Sequence, residues 1–251
     1  MKALAGALLG LLACACTAFG AGGDACSVAS HLVQVDAGLP RVAQAIAKTK
    51  SVTIVVVGTT SSSLPGGEGA KLAYPARLEL ALQKKLPGVA VKVVPYVAPR
   101  TTAADQAQNF PKIVKSDHPA LVIWQTGTFD AMQGVGSDPF QTALEQGVER
   151  LREGGADVIF VNMQYSPRTD AVLASQAYAE AIRWVATGGG INLFDRQSIM
   201  RHWSEMGTFD LLAATKSLDT ATQVHNCIGR LLADLVADAI KMSEAESKET
   251  K

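Results

Sequence analysis

Ser51-Val-Thr-Ile-Val-Val-Val-Gly-Thr-Thr-Ser-Ser-Ser63 is an apolar, β-branched run that stops at a glycine and passes into consecutive hydroxyl residues. It reads as a buried first strand that delivers a hydroxyl cluster to its carboxyl end. In an open α/β sheet that end is where ligands bind, so the cluster stands where an acyl-transfer nucleophile is expected.

Outward from this strand, the pattern alternates. Upstream, residues 29–49 place Leu32, Val33, Leu39, Val42 and Ile46 near helical spacing, with Pro40 at the start of the main turn. Leu64 to Gly69 is too rich in proline and glycine for regular structure. Tyr74 to Leu86 predicts a helix stopped by Pro87-Gly88, and Val89 to Val97 a second strand. A helix over Thr101–Ser116 is expected to be interrupted or bent near Pro111, before a third strand at Ala120–Thr126. Asp138 to Gly154 reads as a helix opened by Asp-Pro. A strand at Ala156–Met163, a helix at Ala171–Thr187, a short strand at Gly190–Phe194 and a helix at Arg196–Met206 follow. Thr220 to Met242 closes the chain with one apolar stripe, and Ser243 to Lys251 reads as a flexible, frayed tail. Strands alternating with helices at this spacing predict a three-layer α/β/α domain on a five-stranded parallel sheet.

Composition narrows the function. The 251 residues are 48% hydrophobic and 18% charged, enough for one substantial core. Twenty-three basic and twenty-three acidic side chains cancel, and no basic block occurs, which argues against nucleic acid or anionic lipid as partner. A small neutral, acylated or saccharide ligand suits the chain better, and no protein partner is legible. The start of the chain, Met1-Lys2 and then apolar residues to Ala13, has the form of a secretory signal with cleavage after Gly20. Leu11-Leu12-Ala13-Cys14 also matches a lipoprotein cleavage box that would acylate Cys14, so periplasmic, secreted and lipid-anchored fates stay open. No later stretch is long enough to span a membrane. His31 and His118 have no companions at metal-ligand spacing, and glycines 66, 67 and 69 form no dinucleotide fingerprint, so neither metal nor cofactor is expected.

The order of landmarks over residues 26–242 resembles the SGNH/GDSL hydrolase superfamily, in particular exported bacterial members whose first block runs Gly-Ser-Ser-Ser-Thr. Here that block is Gly58-Thr59-Thr60-Ser61-Ser62. Tyr74-Pro-Ala-Arg-Leu78, Pro119-Ala-Leu-Val-Ile-Trp-Gln-Thr-Gly-Thr128 and Tyr165-Ser-Pro-Arg168 are similar to the same subgroup. The resemblance implies a flavodoxin-like sheet and ester or acyl hydrolysis. A first-block serine attacks, a histidine near the last helix takes its proton, and an aspartate three residues earlier orients the histidine. Oxyanion donors come from the nucleophile's N–H, a second-block glycine and a third-block asparagine.

Each block departs from that pattern. The nucleophile position falls on Thr60, with Ser61 beside it. The glycine region is Val97-Ala-Pro-Arg100, where Pro99 has no N–H, and Gly127-Thr128-Phe129-Asp130 puts a ring where an amide is expected. Losing one oxyanion donor costs about 10²- to 10³-fold in turnover. In an ungapped register Asp219 stands at the histidine position and Lys216 at the aspartate position; the alternative register uses His225 as base with Thr222 behind it. The resemblance places Gly58, Thr59, Arg100, Gly127, Phe129, Asp130 and Arg168 around a ligand. His202, Asp195 and Asp210 read as helix, cap or turn residues. Two readings follow, a homologue that has lost hydrolysis and keeps a pocket, and a weak esterase using Thr60 or Ser61 with His225. The same frame brings Cys26 beside the closing helix, where it can pair with Cys227.

Overall fold

The computed structural model describes residues 24–212 and 218–249; the signal segment, Cys14 and Lys216 lie outside them. A 3₁₀ turn at Ser30–Val33 and helix α1 (Pro40–Thr49) lead into β1 (Ser51–Gly58). Then come α2 (Gly69–Leu72), α3 (Tyr74–Lys85), β2 (Ala90–Val97), α4 (Ala103–Asp117), β3 (Leu121–Gln125), α5 (Thr128–Gln133) and α6 (Ser137–Glu153). The remainder is β4 (Asp157–Val161), α7 (Pro167–Asp170), α8 (Ser175–Gly189), β5 (Asn192–Phe194), α9 (Arg196–Glu205) and α10 (Asp219–Glu249). The sheet is parallel throughout, in the order β2-β1-β3-β4-β5. Its order reverses at β1, between β2 and β3, which opens a crevice at the carboxyl ends of β1 and β3.

The two-residue period of a strand sorts β1 between two cores. Val52, Ile54 and Val56 join α1, α3, α9 and α10 on one face. Val55 and Val57 join α4, α6 and α8 on the other. Burial on both faces explains why the run is continuously apolar rather than alternating. Helix α1 has no side-chain cap of its own; the Asp157 carboxylate at the start of β4 accepts from the Arg41 and Val42 N–H groups at 2.9 and 3.0 Å.

Several boundaries differ from the sequence expectation for physical reasons. Helix α4 is a single helix through Pro111, because the reciprocal Thr102–Asp105 capping box starts it and buried Phe110, Ile113 and Val114 hold it on either side of the proline. The lead-in is a 3₁₀ turn and a separate helix, with Asn192 binding the Asp36 and Ala37 N–H groups between them. Helix α6 starts at Ser137, so Asp138 and Pro139 lie inside its first turn and Gly136 is the N-cap. Helix α10 continues past Met242 to Glu249, because buried Ser243 packs against Gly38 and extends the contact with the lead-in. Among the described residues no helix is long and apolar enough to cross a membrane.

Helix α10 lies against α3, and the approach is close at Gly229, where an added Cβ would come within 2.6 Å of Arg77 Cβ and 2.9 Å of the Leu78 nitrogen. Cys26 and Cys227 form a disulfide with Cα atoms 4.9 Å apart. Arg230, one turn further on, binds the Asp24 carboxylate on the same lead-in segment. The bond closes a loop spanning 201 positions, so chain-entropy bookkeeping gives it ~5 kcal/mol of stabilisation before any native-state offset. Denaturant titration with and without reductant is expected to show a stability loss of that order. A Cys26→Ala/Cys227→Ala variant of unchanged stability would contradict the assignment.

Candidate active site

The site is built on the end of β1. At Gly58 the chain leaves the sheet and turns through a short 3₁₀ segment at Thr60–Ser62. Gln125, the last residue of β3, lies fully buried alongside. Its Oε1 receives the Thr59 N–H at 2.9 Å and the Thr59, Ser61 and Ser62 hydroxyls at 3.1, 3.2 and 3.0 Å. The backbone N–H can only donate, which fixes the oxygen of the amide toward the turn. Four donors crowd one oxygen, while Nε2 of the same amide has no partner among the described residues. Gly58 makes this knot possible: a Cβ there would collide with Ser62 Oγ and sit 3.0 Å from Gln125 Oε1.

Two further elements reach the knot. Tyr74, at the start of α3, is wholly buried, and its hydroxyl lies 2.9 Å from Ser62 Oγ. Burial holds the phenol above its usual range. The Tyr74 N–H donates to His225 Nδ1 at 3.0 Å, so the neutral imidazole carries its proton on Nε2. Burial, with the nearby Arg196 charge adding to it, holds His225 down to about 4. Arg196, the first residue of α9, is only 1% exposed and donates to the Ser61 carbonyl and hydroxyl, both at 3.2 Å. Desolvation lowers the guanidinium to about 10.

The other positions named from sequence spread along the same edge. Thr60 is exposed, and its hydroxyl has no partner among the described residues. Arg100 is exposed in the turn after β2, with φ 56°. Gly127 takes φ 95° at the N-cap of α5, where a Cβ would sit 2.7 Å from Met163 Sδ. Phe129 is half-buried, and the buried Asp130 carboxylate accepts from the Ala103 N–H at 2.9 Å, tying α5 to the start of α4; burial holds its pKa above the usual carboxylate range. Arg168 is exposed in α7, and Asp219 is exposed at the first turn of α10. Asp195 caps α9 through the Ser198 N–H and pairs with Arg183. A groove of about 400 Å³ between β2 and α4 adjoins Gly58 and is lined by Val97, Ala98, Thr101, Gln106 and Lys112 among others.

Gln125 and Arg196 were not singled out by sequence. Gln125 had a signal, a lone amide ending the apolar run Leu121–Trp124; Arg196 had none, since an arginine opening a helix is ordinary.

The match of residues 25–242 to one family decides the assignment. The chain belongs to the non-GDSL lipase-like family. Solved structures with the SGNH/GDSL hydrolase fold resemble this family member. A putative lipolytic protein of the G-D-S-L family from Desulfitobacterium hafniense has 18% identity and TM-score 0.54, over 73% of this chain and 99% of that one. A catalytic mutant of Axe2, an acetylxylan esterase from Geobacillus stearothermophilus, has 15% identity and TM-score 0.59, over 74% and 94%. The lipase/acylhydrolase from Enterococcus faecalis has 15% identity and TM-score 0.59, over 74% and 96%. At such identities the likeness is one of fold. A search of curated proteins finds no match.

Two outcomes are expected for the site of this family member. Gly58→Ala should cost about 1–3 kcal/mol, since the added methyl overpacks the knot; equal denaturation midpoints for variant and wild type would contradict this. The second outcome concerns pH. His225 titrates near 6.5 when unfolded and about 4 when folded, so the folded state is favoured fully above pH 6.5 and loses ground as pH falls toward 4. The loss is on the order of 3 kcal/mol at about 1.4 kcal/mol per pH unit. Asp157, pushed up to about 6 by burial, works in the opposite sense over the same range, so the comparison is with His225→Asn, which keeps the acceptor and does not titrate. The variant should lack the His225 part of the slope, and the His225 ring resonance in the wild type should titrate near 4.

Proposed function

We propose that this family member is exported, is impaired as an ester hydrolase, and retains a pocket at the carboxyl end of the sheet for acylated or saccharide ligands of the cell envelope. The observation that carries the reading is the Tyr74 N–H on His225 Nδ1. A triad histidine donates from one nitrogen to its orienting group and keeps the other lone pair for the nucleophile's proton. In this arrangement the ring's one lone pair is taken by a backbone N–H and its other nitrogen is a donor, so neither can act as base for Thr60 or Ser61. Pro99 and Phe129 stand where oxyanion donors are expected, and Asp219 would then occupy the family's histidine position. The groove beside Gly58 supplies space for a ligand. Export is supported by the signal-like amino terminus and by the disulfide, a bond that persists in oxidising compartments.

The expected result is that purified protein hydrolyses short-chain nitrophenyl esters no faster than its Thr60→Ala and Ser61→Ala variants. Turnover well above both would overturn the reading. One observation favours a second reading, weak esterase activity through Ser61: its hydroxyl is 3.2 Å from Gln125 Oε1 and from Arg196 Nη2. That reading requires His225 to leave Tyr74, and it expects activity that falls to background in both Ser61→Ala and His225→Ala.

A further inference from the structure

Arg196 is a buried cation that has no counter-ion among the described residues. Among the described residues no carboxylate lies within ion-pair distance of it, its Nε has no partner, and its only hydrogen bonds are two long ones to neutral oxygens of Ser61. Desolvating a guanidinium is costly unless a charge or a full set of acceptors compensates, and arginine cannot relieve the cost by giving up its proton at neutral pH. Its surroundings add no negative charge: Tyr74 is a buried phenol held protonated, and His225 is neutral. Every other arginine for which the structure gives a carboxylate partner, Arg183, Arg201 and Arg230, is substantially exposed. The arrangement is therefore inverted, with the charge paired where solvent would screen it and unpaired where solvent is excluded.

We propose that Arg196 is the anion-recognition element of the site and that the ligand carries an oxyanion, a carboxylate or a phosphate, which docks over Ser61 onto the Nη2 edge of the guanidinium. Ser61 is the gate in this geometry. It is partly exposed, its hydroxyl receives Arg196 Nη2 at 3.2 Å, and the same hydroxyl lies 3.2 Å from Gln125 Oε1. The Ser61 hydroxyl can therefore keep Gln125 while a ligand oxygen takes Nη2. A planar guanidinium fork suits the paired oxygens of carboxylate and phosphate and strengthens where water is excluded. The inference rests on the proposed function only in placing a ligand at this end of the sheet; it requires no ester turnover.

The test measures binding, with inorganic phosphate and acetate as separate probes of the two oxyanions. For the wild-type protein at neutral pH, saturating probe should raise Tm by roughly 2–4 °C and should shift the His225 ring resonances saturably. Arg196→Met should keep or raise the ligand-free Tm, since it removes an unpaired buried charge, and should abolish both responses. Arg196→Lys keeps the charge but loses the fork and should weaken binding at least about tenfold. Ser61→Asp builds the missing anion into the chain; it should raise the ligand-free Tm and block both probes. A response to one probe alone identifies the oxyanion. No saturable response to either probe in the wild type overturns the proposal, whatever the esterase assay shows, as does an equal response in Arg196→Met. If Arg196→Met fails to fold, a Ser61→Asp variant that is destabilised and still binds phosphate overturns it equally.

Discussion

One side-chain oxygen, Gln125 Oε1, holds the exit of the first strand, β1. β1 is buried on both faces and paired on both edges, so the only freedom left to it is the direction in which the chain leaves the sheet at Gly58. A backbone N–H and three hydroxyls converging on one acceptor set that direction. The constraint is local and polar, yet it lies inside an apolar frame where an unmade hydrogen bond costs more than a made one gains. Gly58 is needed for the same reason, since the turn closes so tightly that Ser62 occupies the space of a side chain at 58.

The closing helix couples this turn to the covalent frame. Cys227 and His225 are two residues apart on α10, so the disulfide that fastens α10 to the lead-in also fixes the height at which His225 meets Tyr74. Gly229 lets α10 settle against α3, the helix that opens with Tyr74. The histidine is thus a packing element in its present contacts. It is buried, neutral, and bonded to the first residue of a neighbouring helix, much as a cap would be. A solvent-exposed imidazole at the same position would titrate near its ordinary value and could turn either nitrogen toward a substrate.

The polar interior of the site has an uneven charge distribution. Asp195 and Asp130 are each buried against N–H donors or a cation and are accounted for by capping helices α9 and α4. Arg196 has no such task. Buried polar groups in folded proteins are nearly always matched, so a mismatch at the carboxyl-end edge of the sheet sets Arg196 apart from the other buried charges.

Sequence by itself determined the α/β architecture, because β-branched runs of strand length alternate with helical stripes and only a doubly covered parallel sheet buries both. It also located the hydroxyl cluster at the end of β1 and the two cysteines that pair. Helix ends were less legible, as at Ser137 and beyond Met242, because Gly136 and the Ser243–Gly38 contact act through geometry that no local pattern announces. The site's inner partners were not legible at all. Gln125 and Arg196 are ordinary residues in the chain, 66 and 135 positions from the hydroxyls they touch, and what makes them notable is burial without complete pairing. Burial and pairing are properties of the packed molecule: a sequence names the donors and acceptors, and only the tertiary structure decides which of them meet and which are left without a partner.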